Sequence, residues 1–176
     1  MIELRATSLS DTHAIAAAIV ALVRPGDVVV LAGEMGAGKT AFAQGFGAAM
    51  GVTDPMTSPT YNLVHSHPAG KITLHHADLY RLSTQHEVAD LAFAELAESD
   101  GILLVEWGDV VAGSLGEHLL VRLEREENDD GPDDGPDGGP DDGPADEVRI
   151  ILVSGVGRSW AVRWDHLAES VAGFTC

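Results

Sequence analysis

Residues 33 to 40 read GEMGAGKT, a full match to the spacing G-x-x-x-x-G-K-[ST] that grips a polyphosphate. Gly33, Gly36 and Gly38 permit a turn tight enough for successive backbone N–H groups to point inward at phosphate oxygens. The helix expected to follow adds its positive end. Lys39, one of two lysines in the chain, can then reach the β and γ phosphates, and the Thr40 hydroxyl is placed to ligate a bridging Mg2+. Met35, Gly36, Ala37, Gly38, Lys39 and Thr40 are therefore the candidate nucleotide-binding residues. Binding alone does not hydrolyse a nucleotide, because the metal needs a carboxylate and the attacking water an orienting group. Two acids fit. Glu106 directly follows the apolar run ILLV, where a strand-end acid beside a phosphate loop belongs. Asp78 follows ITLHHA and also emerges at the end of an expected strand. Asp78, Lys39 and Glu106 are thus the candidate catalytic residues, and Thr40, Glu106 and Asp78 the candidate metal ligands.

The elements that must position them can be read from patterning. Residues 27 to 32 form a short β-branched apolar run, and Lys39 to Met50 is Ala-rich with Phe42 and Phe46 one turn apart before Gly51. Strand, loop and helix thus fall in the order the motif requires. Ser10 or Asp11 can cap an earlier helix that Pro25-Gly26 ends. Further on, Tyr61 to His67 and Lys71 to His76 read as a hairpin, Thr84 to Ala97 as a helix, and residues 101 to 105 as a buried strand. His118 to Glu124 and Val148 to Ser154 read as antiparallel strands, and Trp160 to Val171 as a closing helix whose Trp160 and Trp164 pack on the core. The chain of 176 residues is expected to form a single α/β domain.

The formal net charge of −18 is unevenly placed, since residues 126 to 147 hold 11 acidic side chains and no Lys or Arg. That Gly/Pro-rich stretch repeats Asp-Asp-Gly-Pro and reads as a disordered acidic insert within the domain. The remainder is still acidic, with 17 acidic against 10 basic residues. Direct capture of a nucleic acid by counterion release is therefore disfavoured, and contact with RNA would run through a partner. No run of 18 apolar residues is present to span a membrane, and MIELRATSLSD lacks the marks of a signal peptide. With Cys176 as the single cysteine, a cytoplasmic location is expected. His65, His67, His75 and His76 raise the question of zinc, but no cysteine lies near them.

Taken together, GEMGAGKT, SPTY at 58 to 61, HADLYRL at 76 to 82 and VEW at 105 to 107 resemble, in order and spacing, the TsaE family of small phosphate-loop ATPases. The likeness runs over about residues 8 to 125 and resumes after the insert. It implies a P-loop NTPase-like three-layer sandwich with a mixed central sheet, to which the residue patterning adds an antiparallel C-terminal hairpin. It implies ATP and Mg2+ as cofactors, TsaD and TsaB as partners, and tRNA reached only through that complex. TsaD joins threonylcarbamoyl to the adenosine beside the anticodon in tRNAs reading codons that begin with A, and TsaE supplies ATP hydrolysis for repeated turnover, being a weak ATPase alone. By the same resemblance Lys39 clamps phosphates, Thr40 and Glu106 hold magnesium, and Asp78 assists hydrolysis. Ser58, Pro59 and Thr60 are similar to a switch-like loop, and Tyr80, Arg81 and Trp107 would pack near the site or a partner. Ala41 departs from the pattern, standing where many relatives carry a second Thr.

Two other readings use the same loop. A small-molecule kinase would need an Arg-rich lid, whereas the eight arginines here are scattered. A non-catalytic subunit that binds ATP only to assemble is the other. A GTPase is disfavoured, because Asn62 and Asn128 are followed by Leu63 and Asp129 rather than by the guanine-reading N-K-x-D.

Overall fold

The computed structural model describes residues 1–57, 63–80, 101–108, 115–126 and 148–176. Among these, the strands are β1 (Ile2–Ala6), β2 (Val28–Ala32), β3 (Val64–Ala69), β4 (Ile72–Asp78), β5 (Gly101–Glu106), β6 (His118–Arg125) and β7 (Arg149–Val156). They form one sheet in the order β1-β7-β6-β2-β5-β4-β3. The centre is parallel, with β2 between β5 and β6 and with β4 beside β5. Antiparallel pairs close both flanks: β3 with β4 on one side, β6 with β7 and β7 with β1 on the other. Every residue of VVVLA in β2 and of GILLVE in β5 is buried, as continuous apolar strands in a sheet centre must be.

Helices α1 (Leu9–Val20), α2 (Lys39–Met50), α3 (Arg158–Ala161) and α4 (Trp164–Ser170) complete the described elements, with a 3-10 turn at Ala172–Phe174. Their apolar faces meet one side of the sheet in a core containing Ile15, Phe42, Phe46, Leu31, Leu104, Trp160 and Leu167. Alternate strand positions, among them Val30, Ala77, Leu103 and Val105, build a second core on the opposite face. Trp107 and Leu115 pack against that second core.

Several boundaries differ from the sequence reading. α1 begins earlier because Ser8, not Ser10 or Asp11, is its cap. The Ser8 hydroxyl accepts from Asp11 N, and the Asp11 carboxylate accepts in turn from Thr7 N and Thr7 Oγ1. β1 was not anticipated; it pairs residue by residue with β7, a long-range partner that local patterning does not reveal. The closing helix breaks at Val162 and Arg163, where Arg163 turns inward. Its guanidinium pairs in bidentate fashion with Asp27 at 2.6 and 2.8 Å, bonds the carbonyls of Ser159 and Leu22, and lies over the Trp160 ring. Trp160 is fully buried and Trp164 packs beside the same core, as their spacing suggested. The expected helix from Thr84 to Ala97 and residues 127 to 147 of the insert lie outside the described residues.

α1 and α2 pack closely at Gly45, where an added Cβ would meet the His13 backbone Cα at 2.8 Å and its ring at 2.7 Å. A Gly→Ala change inside a helix ordinarily stabilises it by up to about 1 kcal/mol. At this position overpacking reverses the sign: Gly45→Ala is expected to destabilise the fold by about 1–3 kcal/mol in urea unfolding, and a gain in stability would contradict this packing.

Burial pushes the imidazoles of His67 and His75 below their ordinary value of 6.5. At His67 the neighbouring His76 and His65 add to the effect and Asp54 opposes it. The unfolded chain therefore takes up these protons first as pH falls, so the stabilisation is complete above about 6.5 and drains away toward the lower folded-state values. Wild type should lose melting temperature between about pH 7 and pH 5 more steeply than a His67→Leu/His75→Leu variant. Equal slopes would show that these rings do not carry the dependence.

Candidate functional site

The loop from Gly33 to Gly38 joins the C-terminal end of β2 to the start of α2. Gly33, Gly36 and Gly38 all take positive φ, at 135, 74 and 99°. At Gly33 the requirement is also steric, because a Cβ would run into the Leu123 carbonyl oxygen of β6. α2 has no side-chain cap and no acidic residue in its first turn, so its own side chains leave its leading N–H groups to an anion. Met35 stands 62% exposed at the loop's outer bend.

Lys39, the first residue of α2, is buried, and its ammonium donates to the carbonyls of Gly33 at 2.9 Å and Glu34 at 2.7 Å. The Trp107 ring covers the same nitrogen at 3.7 Å from its centroid. Trp107 reaches that position through a left-handed backbone, φ 58°, immediately after β5. Tyr80 packs on its ring at 5.0 Å between centroids. Sequence reading had placed Tyr80 and Trp107 near the site or a partner surface; here Trp107 covers the lysine, and Tyr80, 55% exposed, packs on Trp107.

The two acids come together by register. β4 and β5 run parallel with Asp78 opposite Glu106, so both project from the same ends of adjacent strands and on the same face. Glu106 also lies opposite Leu31, two residues before the loop begins. This is the edge where parallel sheets present ligand-binding residues. The Thr40 hydroxyl donates to Glu106 Oε2 at 3.2 Å, and His76 Nε2 donates to Glu106 Oε1 at 2.8 Å. Glu106 is 2% exposed and His76 is fully buried. Asp78 Oδ1 accepts from Tyr80 N at 2.9 Å, a turn that holds the carboxyl at the strand end.

Thr40 and Glu106 offer two hard oxygen donors at the foot of the loop, a set that suits Mg2+. Among the described residues no group of three or more His, Cys, Asp or Glu could hold a metal by itself. Mg2+ does not require such a group, because it is held by one or two protein oxygens together with phosphates and water rather than by a protein cage. The four histidines do not share one face: His75 and His76 take opposite faces of β4, one meeting Ser66 Oγ at 2.8 Å and the other Glu106, while His65 and His67 lie on the His76 side.

The β6–β7 hairpin adds residues that sequence reading did not single out. Arg125 donates to the Gly36 carbonyl at 3.2 and 3.3 Å, bracing the loop from outside. Arg149, its cross-strand partner, lies beside Gly38. A cavity of about 440 Å³ opens between Gly33, Glu34 and Ala37 on one side and residues Arg122 to Arg125 on the other. Arg122 lay in the expected strand and Arg125 just past its end, but only the fold brings that strand's end to the loop. Ser58, Pro59, Thr60 and Arg81 lie outside the described residues.

Comparison with known proteins places this arrangement. The family model described as threonylcarbamoyl adenosine biosynthesis protein TsaE matches residues 6–132. The protein named tRNA threonylcarbamoyladenosine biosynthesis protein TsaE from Streptomyces coelicolor is 36% identical over 143 residues, 80% of this chain and 87% of that one. Its namesake from Bacillus subtilis is 35% identical over 126 residues, 72% of this chain and 78% of that one. The crystal structure of Bacillus subtilis YdiB superposes with a TM-score of 0.67 at 26% identity, covering 98% of this chain and 97% of the other. With more than half of its length matched by the family and the same fold in a solved relative, the chain belongs to the TsaE family of tRNA threonylcarbamoyladenosine biosynthesis proteins.

Proposed function

We propose that this chain binds and hydrolyses ATP with Mg2+, in the cytoplasm, and that hydrolysis resets a TsaB–TsaD complex so that it can modify successive tRNAs reading codons that begin with A. The observation that carries this reading is the 3.2 Å contact between Thr40 and Glu106, which brings a buried strand-end acid to the first turn of the helix behind a glycine loop. Loop amides from Met35 to Thr40 receive phosphate oxygens, and Lys39 exchanges the carbonyls of Gly33 and Glu34 for the β and γ phosphates. When bound, Mg2+ neutralises charge on the β and γ oxygens. Thr40 and Glu106 supply its protein ligands, while Asp78, beside Glu106 on the same face, orients the attacking water or the outer shell of the metal. Trp107, with Tyr80 packed on its ring, shields the ammonium from solvent, which strengthens its pull on an anion. No helix among the described residues is long and apolar enough to cross a membrane.

The test is ATP turnover and modified-tRNA yield with TsaB, TsaD and the upstream carbamoyl-adenylate synthase. Lys39→Ala and Glu106→Ala should each reduce turnover by roughly 100-fold or more, the usual cost of deleting one group that stabilises transition-state charge. Multiple rounds of modification by both variants at the wild-type rate would refute the assignment. Phosphate release should proceed without any phosphoryl acceptor; a strict acceptor requirement would point instead to a kinase.

A further inference from the structure

We infer that His76 is a positioning residue for the divalent cation: its imidazole fixes the rotation of the Glu106 carboxyl so that one oxygen stays turned toward Thr40. The inference rests on the nucleotide-binding reading above.

Glutamate has no intrinsic preference that would do this, since its terminal χ3 torsion is broad and nearly two-fold. Here the two oxygens are divided. Oε1 receives the His76 Nε2–H at 2.8 Å, and Oε2 receives the Thr40 hydroxyl at 3.2 Å. A carboxylate oxygen can only accept, so Nε2 must be the ring nitrogen that carries the hydrogen. His76 lies two residues before Asp78 on the same face of β4, and Asp78 is opposite Glu106; the ring therefore approaches Glu106 along the sheet diagonal while Asp78 keeps the strand end. Among the described residues the bond to Glu106 is the ring's one hydrogen bond, and Nδ1 is buried without a hydrogen-bond partner. The imidazole is thus not anchored as part of a wider polar network. Its hydrogen-bonding capacity is spent on a single carboxyl, and that carboxyl is the proposed metal ligand. Outer-shell groups of this kind typically contribute 10–100-fold to metal affinity.

ADP binding to the full chain, measured by calorimetry with EDTA and across a Mg2+ series, tests this without reliance on turnover. For wild type, Mg2+ should tighten ADP binding. His76→Ala should weaken the Mg2+ dependence about 10–100-fold while metal-free ADP affinity stays within about twofold. His76→Gln, whose amide nitrogen reaches as far along the side chain as Nε2, should recover most of the loss. The shorter His76→Asn should not. Should His76→Ala fail to fold, the wild-type imidazole serves as its own probe: the His76 15N resonances, assigned by their loss in His76→Gln, should move when Mg2+ joins the ADP complex. Folded variants with wild-type Mg2+ dependence, a wild type whose ADP binding ignores Mg2+, or an unmoved Nε2 resonance would each overturn the role of His76. A wild type that binds no ADP at all would overturn the proposed function itself.

Discussion

A carboxyl group buried at the end of the central strand is the constraint around which this structure is arranged. Glu106 is 2% exposed, and a buried acid stripped of its partners costs several kcal/mol. Its donors come from two different elements, Thr40 on α2 and His76 on β4. Satisfying one side chain therefore ties the helix behind the glycine loop to two adjacent parallel strands. The tie depends on register. A slip of one residue between β4 and β5 would move His76 and Asp78 to the opposite face and leave Glu106 among apolar side chains. Continuous burial on both faces of β2 and β5 makes such a slip expensive, so the apolar core and the polar site enforce the same alignment.

Lys39 places a second buried charge beside the same strand end. A buried ammonium must be satisfied, and here two carbonyls of its own loop and the face of Trp107 do so. Trp107 reaches the lysine only through a left-handed backbone, which costs a non-glycine residue on the order of 1 kcal/mol or more. Strain of that kind persists where the surroundings over-determine it. In this chain the surroundings are Tyr80, the second core and the lysine itself. The proposed nucleotide would compete for an ammonium that is already held at the right end of the loop.

What the sequence made legible was whatever depends on local chemistry. The glycine loop, the strand before it and the helix after it follow from φ requirements and side-chain periodicity, and they stand where GEMGAGKT put them. Glu106 and Asp78 were recognisable as strand-end acids, and register places them side by side. Long-range relations were not legible. β1 is recognisable chiefly by its pairing with β7, and the break in the closing helix arises because Arg163 reaches Asp27 across 136 residues of sequence. Nothing local singled out Arg125 and Arg149, which the sheet order brings to Gly36 and Gly38. His76 was legible only as one histidine in a group of four; its distinction is which of its neighbours it faces.

The arginines also bear on an apparent conflict between the chain's charge and the proposed ligand. A chain with a formal charge of −18 should repel a nucleotide triphosphate, yet interactions between exposed charges are largely screened beyond about 8 Å at physiological ionic strength. The groups within that distance of the loop decide the outcome. Arg125 bonds a loop carbonyl, Arg149 lies against Gly38, Arg122 lines the adjoining cavity and Lys39 occupies the loop itself. Four of the ten basic residues are thereby gathered around one turn of chain. Glu34 and Glu124 share the cavity and moderate that field, which favours a ligand bound by directed hydrogen bonds from loop amides over one held by bulk charge. A site of that design would discriminate the proposed polyphosphate by shape, whereas a nucleic-acid backbone is bound chiefly through counterion release over many contacts, which so acidic a composition disfavours.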